Sequence, residues 1–395
     1  MMAEALIKIN NQLEKSREEL NDRLSGKIPK NNKKPLIHHK KHKQPDDKEI
    51  EFYKRLNEIK QRELLLKEKE EAFRINEEKL KILKKYKLLN NGMLMPFIGL
   101  GTSRIGGDPK DPNKKGLKDV KDIVYNAIKL GIRLFDTAFK YQNEEQVGEG
   151  IKNALDDGLC KREDLFIIGK IWIADRNNPE NAIKATLKKL QLDYLDLYLD
   201  HWPSGNNYSN PGQIIQQVPV FEFWPKMEAL VDKGLTKAIG ISNYNVQSIL
   251  NLLSFCRIKP VANEVEFHPY YYQENLKKFC DKENITIIAH YPLAHGNGAR
   301  QYIENHKGQM NSFEEECILD LQKKYGKTPA QIIINWEFSQ GIISIPGSSQ
   351  TEHIIKNIEA LDFKMNDEEI KSLYTFGKKM KFCGCRRFFG MNIMA

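Results

Sequence analysis

The sequence contains four residues whose side chains could together transfer a proton. They are Asp136, Tyr141, Lys170 and His201, and each stands at or just after the end of a short apolar run. A lysine beside a phenol stabilises the phenolate and lowers the pKa of the phenol, and a carboxylate keeps the lysine charged. The set therefore indicates general acid–base chemistry if the fold brings the four together. Each residue alone also fits an ordinary structural role, such as a turn, a cap or core packing.

The elements that must position these residues are short β-type runs, which alternate with helical patterns from about residue 86 onward. Eight such alternating units over about 300 residues predict a parallel (β/α)8 TIM barrel rather than a doubly wound sheet. The predicted strands are 97–103, 134–139, 165–171, 195–202, 238–243, 262–269, 286–293 and 342–348. The predicted helices are 117–130, 144–157, 179–190, 222–233, 246–255, 273–282 and 312–325.

In a parallel barrel the active site forms where the carboxyl ends of the strands meet. Polar residues at or near these ends in the predicted strands are Asp136, Lys170, His201, Ser242, Asn243, Glu264 and His268. The sequence thus predicts that a proton-transfer site lies at this end of the barrel.

Residues 1–85 differ in composition from the rest of the chain. They hold 23 of the 62 Lys and Arg residues but only 16 of the 53 Asp and Glu residues, so most of the net positive charge lies there. Leucines spaced by seven near the start, and apolar residues spaced by seven over 48–85, predict helices on either side of a solvated, disordered linker at 27–47. The second helix has mostly charged companion positions and therefore only weak capacity for coiled-coil pairing. It packs on the barrel or on a protein partner, and the sequence leaves both open.

Other function classes are excluded by what the sequence lacks. The nearly neutral remainder, residues 86–395, argues against nucleic-acid binding by the barrel. No apolar run approaches the roughly 20 residues of a membrane span, and no secretory signal is apparent. The six cysteines are scattered without metal-ligand spacing, so we expect free thiols, a cytoplasmic protein and no metal. Gly99 and Gly101 lack the third glycine of a dinucleotide-binding fingerprint, and P-loop, GxSxG and HExxH motifs are missing.

Six segments, in order, resemble the aldo-keto reductases. The resemblance runs from Tyr86 to the C-terminus, and the tail RRFFGMNIMA is similar to that of the aldose and xylose reductase branch. The segments are GIRLFDTAFKYQNEEQVGEGI (131–151), FIIGKIW (166–172), KKLQLDYLDLYLDHWP (188–203), GLTKAIGISNYN (234–245), KPVANEVEFHP (259–269) and KKYGKTPAQIIINW (323–336).

The resemblance implies an enzyme that reduces aldehydes or ketones with NADPH, and with NADH as a second cofactor. It implies that Tyr141 protonates the carbonyl oxygen as hydride arrives from the nicotinamide. Lys170, paired with Asp136, would tune the pKa of Tyr141, and His201 would hold the substrate oxygen by a hydrogen bond.

The resemblance also assigns cofactor and substrate contacts. The implied cofactor residues are Thr102, Asp136, Ser242, Asn243, Glu264, His290, Leu293, Ser348, His353 and Asn357. The implied substrate-pocket residues are Ser103, Lys140, Trp172, His201 and Trp202. Some positions depart from the family pattern. Glu264 stands where glutamine is usual, His290 where tyrosine is usual, and His353 where arginine is common.

Two functions of different classes remain open from the sequence. The first is a working reductase. The second is a regulatory or scaffold subunit that retains the barrel and docks through residues 1–85. The intact set of four proton-transfer residues favours the enzyme, because a scaffold would not need all four.

Overall fold

The structure of the protein, a computed structural model, describes residue 67 and residues 84–106, 119–203, 218–294, 311–375 and 381–382. The chain divides after Lys84 into two units, and every element below belongs to the second, Lys85–Ala395. The helices predicted at the start of the chain and over 48–85, and the linker predicted at 27–47, lie outside the described residues.

Eight parallel strands form one sheet in sequential order, which confirms the predicted barrel. The strands are β3 Leu100–Gly101, β4 Leu134–Asp136, β5 Phe166–Ile171, β6 Leu197–Asp200, β7 Ile239–Ser242, β8 Ala262–Glu266, β9 Thr286–His290 and β10 Ile343–Ser344. Backbone bonds between the two ends of the sheet close it. Gly99 N–H donates to the Ser344 carbonyl, and Ser344 N–H donates to the Phe97 carbonyl, each at 2.9 Å.

The first and last barrel strands are much shorter than the sequence indicates. Residues 97–103 and 342–348 were each expected to be a full strand, but only two residues of each form regular ladders. Pro346 has no amide hydrogen, so it cannot extend a ladder as a donor. Its carbonyl still accepts a hydrogen bond from Gly101 N–H at 3.3 Å.

An antiparallel hairpin precedes the barrel and was not predicted from the sequence. Its strands are β1 Tyr86–Leu88 and β2 Leu94–Pro96, and they are too short for a clear alternating pattern. Leu89 and Met95 are buried in the same apolar cluster as the inward side chains of the barrel strands. The hairpin therefore contributes to the barrel core.

Ten α-helices lie within the described part of the barrel unit. They are α1 Val120–Lys129, α2 Glu144–Asp156, α3 Pro179–Leu190, α4 Val220–Asp232, α5 Val246–Leu253, α6 Glu274–Lys282, α7 Glu316–Tyr325, α8 Pro329–Ser339, α9 Thr351–Glu359 and α10 Asp367–Ser372. The first seven correspond to the predicted helices. In α8 every residue from Gln331 to Glu337 is buried, so it lacks the apolar stripe that identifies a surface helix.

The inside of the barrel changes from apolar to charged along the strands. Ile168, Leu197 and Leu199 belong to the inner apolar cluster. Lys170 lies two residues beyond Ile168 on β5, so strand alternation points it to the same side. The lower barrel is thus a packed core, and the charged layer lies toward the carboxyl ends of the strands, as the sequence predicts. Within the described ranges no helix is long and apolar enough to cross a membrane.

Candidate active site

Lys170 is the centre of a buried polar cluster at the carboxyl end of the barrel. Its side chain is fully buried and forms an ion pair with Asp136 on β4. Lys170 Nζ also donates to the Tyr141 hydroxyl at 2.9 Å, and that hydroxyl lies 3.4 Å from Asp136 Oδ2. A second carboxylate, Glu264 on β8, approaches Lys170 Nζ with Oε1 at 3.3 Å. Residues from three strands and one turn therefore meet in one cluster.

A short turn after β4 directs Tyr141 back toward the lysine. Residues Phe139–Tyr141 form a 3-10 helix, in which Tyr141 N–H donates to the Ala138 carbonyl at 2.9 Å. Gln142 follows with φ of 59° and reverses the chain into α2. The Asn143 side chain then donates to the Thr102 carbonyl at 2.8 Å, which ties the turn to the end of β3.

Burial and the local charges leave both the lysine and the phenol protonated at neutral pH. Burial alone would lower the pKa of Lys170, but the carboxylates of Asp136 and Glu264 outweigh it and raise that pKa. Burial, together with the charge of Asp136, raises the pKa of Tyr141, and Lys170 acts in the opposite direction. From the sequence, only the lowering effect of the lysine on the pKa of Tyr141 could be predicted. The net direction is upward because the phenol is desolvated.

His201 follows β6 and lies among aromatic rings. Its ring centroid is 6.0 Å from that of Tyr141 and 5.5 Å from that of Trp172, and it stacks on Trp202 at 6.5 Å. Burial, followed by the nearby Lys170, lowers the pKa of His201 well below its usual value, so the imidazole is neutral. His201 Nδ1 has no hydrogen-bond partner among the described residues.

The other residues predicted for the substrate pocket differ in their exposure to solvent. Trp172 and Trp202 are buried next to His201. Lys140 is exposed, and its Nζ lies 4.7 Å from the centre of the Trp172 ring. Ser103 is exposed in the turn after β3.

The ends of β6, β7 and β8 are joined through Ser242 and Asn243. Ser242 Oγ donates to the Glu264 carbonyl at 2.8 Å, and Asn243 N–H donates to the same carbonyl at 2.9 Å. Asn243 has φ of 63°, a conformation that asparagine tolerates well. Its side chain donates to the His201 carbonyl at 2.9 Å, and its Oδ1 lies 3.3 Å from His290 Nε2. The structure therefore brings these predicted cofactor residues next to the lysine cluster.

The remaining predicted cofactor residues lie further along the chain at the mouth. Ser348 is partly buried and accepts from Gln350 N–H at 3.1 Å, just before α9. On α9, His353 is exposed and Asn357 is buried. Leu293 packs against both apolar clusters of the barrel. These four residues follow β9 and β10, whereas Lys170 and its two carboxylates lie on β5, β4 and β8, so the four form a second region of the site.

A buried ion pair next to His201 supports the site and was not predicted from the sequence. Arg176, 2% exposed, pairs with Asp200 and donates to the Trp202 carbonyl at 2.8 Å. The Tyr244 hydroxyl donates to Asp200 Oδ2 at 2.6 Å. Asp200 directly precedes His201, and Tyr244 directly follows Asn243 in the sequence. The network therefore fixes the strand ends that carry these two site residues. The only sign of this network in the sequence was a charged residue, Asp200, at the end of the apolar strand β6.

The sequence of the chain is similar to those of known proteins. The family model described as "Aldo/keto reductase family" matches residues 97–377. The NADP-dependent D-sorbitol-6-phosphate dehydrogenase of Malus domestica is 34% identical over 319 residues, which cover 78% of this chain and 98% of that protein. The NAD(P)H-dependent D-xylose reductase of Pyricularia oryzae is 35% identical over 311 residues, which cover 74% of this chain and 93% of that protein.

Similar proteins of known structure are also aldo-keto reductases. The aldo-keto reductase of Bombyx mori in complex with NADP is 32% identical and aligns with a TM-score of 0.68, covering 76% of this chain and 95% of that one. Together, the barrel, the matching family model and the relatives that share most of its length lead to one conclusion: the chain belongs to the aldo/keto reductase family.

Proposed function

We propose that the chain is an NADPH-dependent carbonyl reductase of the alcohol dehydrogenase type, which converts an aldehyde or ketone to an alcohol. Membership of the family makes it an oxidoreductase. The observation that carries the finer assignment is the buried Lys170, bonded at once to the Tyr141 hydroxyl and to Asp136. A lysine held in this way places a protonated phenol at the mouth of the barrel.

The residues at the mouth fit a nicotinamide dinucleotide. Two buried polar atoms, Thr102 Oγ1 and Glu264 Oε2, have no hydrogen-bond partner among the described residues. Ser242 and Asn243 lie beside Glu264 and would hold the nicotinamide carboxamide. Ser348, His353 and Asn357 would contact the adenosine part. The bound dinucleotide supplies the hydride.

The chain's own residues would then handle the proton. Tyr141, whose raised pKa keeps its proton at neutral pH, donates that proton to the carbonyl oxygen. The Lys170 ammonium balances the phenolate that remains, and Asp136 holds the ammonium in place. His201, neutral because burial lowers its pKa, orients the carbonyl oxygen by a hydrogen bond rather than by charge.

The choice between NADPH and NADH depends on the region around α9. A 2'-phosphate is bound by cations and by hydroxyl or backbone donors. Ser348 and His353 are such groups, whereas Lys356 Nζ forms an ion pair with Glu352 at 2.6 Å. We infer that NADPH is preferred by a modest margin and that NADH is a second cofactor, as the name of the xylose reductase relative also indicates for that enzyme.

The substitution Tyr141→Phe tests the proposed role of the phenol. It removes the hydroxyl and keeps the ring, so we expect turnover of an aldehyde to fall by roughly 10²–10⁴-fold. Affinity for NADPH, measured by its fluorescence, should stay close to that of the wild type. Tyr125→Phe is a matched control, since the Tyr125 hydroxyl donates to the exposed Asp157 at 2.7 Å, on the outside of the barrel. Aldehyde reduction at nearly the wild-type rate in Tyr141→Phe would remove the tyrosine from the mechanism.

The alternative of a scaffold subunit has no specific observation in its favour. Its docking element would be residues 1–85, which are outside the described residues apart from 67, 84 and 85. A protein partner for this segment, and a cytoplasmic location, stay predictions from the sequence.

A further inference from the structure

Lys170 is shared by two carboxylates, although one is enough to hold it. Asp136 is the first, and Glu264, with Oε1 at 3.3 Å from Lys170 Nζ, is the second. Glu264 is 1% exposed, and its other oxygen, Oε2, has no hydrogen-bond partner among the described residues. If both carboxylates were ionised, this buried cluster would carry one negative charge more than its single ammonium can balance.

Among the described residues, the groups around Glu264 do not supply a second cation, and the nearby His201 and His290 are neutral because burial lowers their pKa values. Its neighbours in register are Ser242 on β7 and Ile288 on β9, and both are uncharged. Across the barrel it faces Asp136, Lys170 and the Tyr141 phenol, which stays protonated. The extra negative charge would therefore remain uncompensated inside the barrel.

Two buried carboxyls that share one cation keep one proton between them over much of the pH range. Asp136 forms the closer ion pair with Lys170 and is the better site for the negative charge. Glu264 is then the member of the pair that keeps the proton. Burial, together with the charge of Asp136, raises the pKa of Glu264 to about 8. The ionisation of Glu264 thus falls within the range in which enzymes are assayed.

We propose that Glu264 makes the protein's choice between the oxidised and the reduced dinucleotide depend on pH. This inference rests on the proposed function, in which Ser242 and Asn243 hold the nicotinamide beside Glu264. The oxidised nicotinamide ring carries a positive charge, and the reduced ring is neutral. An ionised Glu264 attracts only the first, whereas a protonated Glu264 distinguishes the two much less.

The direction of the pH effect on cofactor binding follows from the ionisation of Glu264. As pH rises, Glu264 loses its proton, and the dissociation constant of NADP+ falls relative to that of NADPH. A full negative charge about 6 Å from a positively charged ring, with an effective dielectric constant near 20, would change the ratio of the two dissociation constants by roughly 100-fold. Because the interval from pH 6.5 to 9 does not cover the whole titration of Glu264, we expect a change of about tenfold across it. Ionisation of the 2'-phosphate affects both forms equally and cancels in the ratio.

The test measures binding rather than turnover. Full-length wild type and Glu264→Gln are titrated with NADPH, followed by its fluorescence, and NADP+ is measured by competition, at pH 6.5 and 9. We expect the ratio of dissociation constants to change with pH in the wild type and to be constant in Glu264→Gln. Glu266→Gln is the control. Glu266 lies two residues after Glu264 on β8 and binds His268, so this variant should keep the pH dependence.

The outcomes separate the two proposals. A wild-type ratio that does not change with pH, or a change that persists in Glu264→Gln, overturns the role of Glu264 while the proposed function stands. Failure of the wild type to bind either dinucleotide overturns the proposed function itself.

Discussion

Replacing Lys170 with methionine should destabilise the protein in a way that depends on pH. Methionine has a similar length but no charge, so Lys170→Met leaves Asp136 and Glu264 buried without their shared cation. Removing one partner of a buried ion pair typically costs about 3–5 kcal/mol, because the other charge stays in a medium of low polarity. Here two carboxyl groups depend on one ammonium, so we expect a loss toward the upper end of that range.

The sign of the pH dependence follows from the direction of the pKa shifts. Burial raises the pKa values of Asp136 and Glu264 even with Lys170 present. Without the ammonium both should rise further. A carboxyl whose pKa is higher in the folded than in the unfolded state loses stability as pH rises through the range between those two values. The deficit of Lys170→Met relative to wild type grows as pH rises from the folded pKa in the wild type to the higher folded pKa in the variant, so it should be larger at pH 8 than near pH 5.

Urea unfolding at pH 5 and pH 8 measures this deficit directly. Lys184→Met is a suitable control, because Lys184 forms an exposed ion pair with Glu180 on α3. Such surface pairs contribute about 0–1 kcal/mol, so the control should unfold almost like the wild type at both pH values. A deficit for Lys170→Met that is the same at both pH values, or no larger than that of the control, would refute this account of the cluster.

Two further substitutions test the support of the site and its cofactor preference. Arg176→Met leaves Asp200 buried without its cation, so thermal denaturation should show a loss of about 3–5 kcal/mol; an unchanged melting temperature would mean that the pair is dispensable. His353→Ala removes a donor proposed for the 2'-phosphate, and the ratio of kcat/KM for NADPH to that for NADH should fall about fivefold, as for the loss of one hydrogen bond. An unaltered ratio would place His353 outside the cofactor site.

The barrel and the lysine cluster could be predicted because their signals are local. Apolar runs ending in Asp136, Lys170 and Ser242 lie on β4, β5 and β7, and a parallel sheet brings such ends together. The eight strand positions were correct for the same reason. Their lengths were not, since pairing between neighbouring strands, rather than composition, decides where a ladder stops.

The parts that sequence reasoning missed depend on contacts between distant residues. Arg176 lies after the 3-10 helix Ile173–Asp175, and no pattern in the chain links it to Asp200 and Tyr244. The approach of Glu264 to Lys170 joins β8 to β5 across the barrel, and only the closed sheet reveals it. The sequence marked Glu264 as an unusual cofactor contact, and the structure adds its ion pair with the lysine.

The proposed reaction is tested most directly by measuring the consumption of NADPH by the purified full-length protein when a carbonyl compound is added. The panel should contain aldoses, aliphatic and aromatic aldehydes, and keto acids, with Tyr141→Phe measured in parallel. We expect a loss of NADPH absorbance that requires both protein and carbonyl compound and nearly disappears in Tyr141→Phe. The matching alcohol should form in an amount equal to the NADPH consumed. Protein that binds NADPH yet reduces no member of the panel, or a variant as active as the wild type, would contradict the proposed reaction.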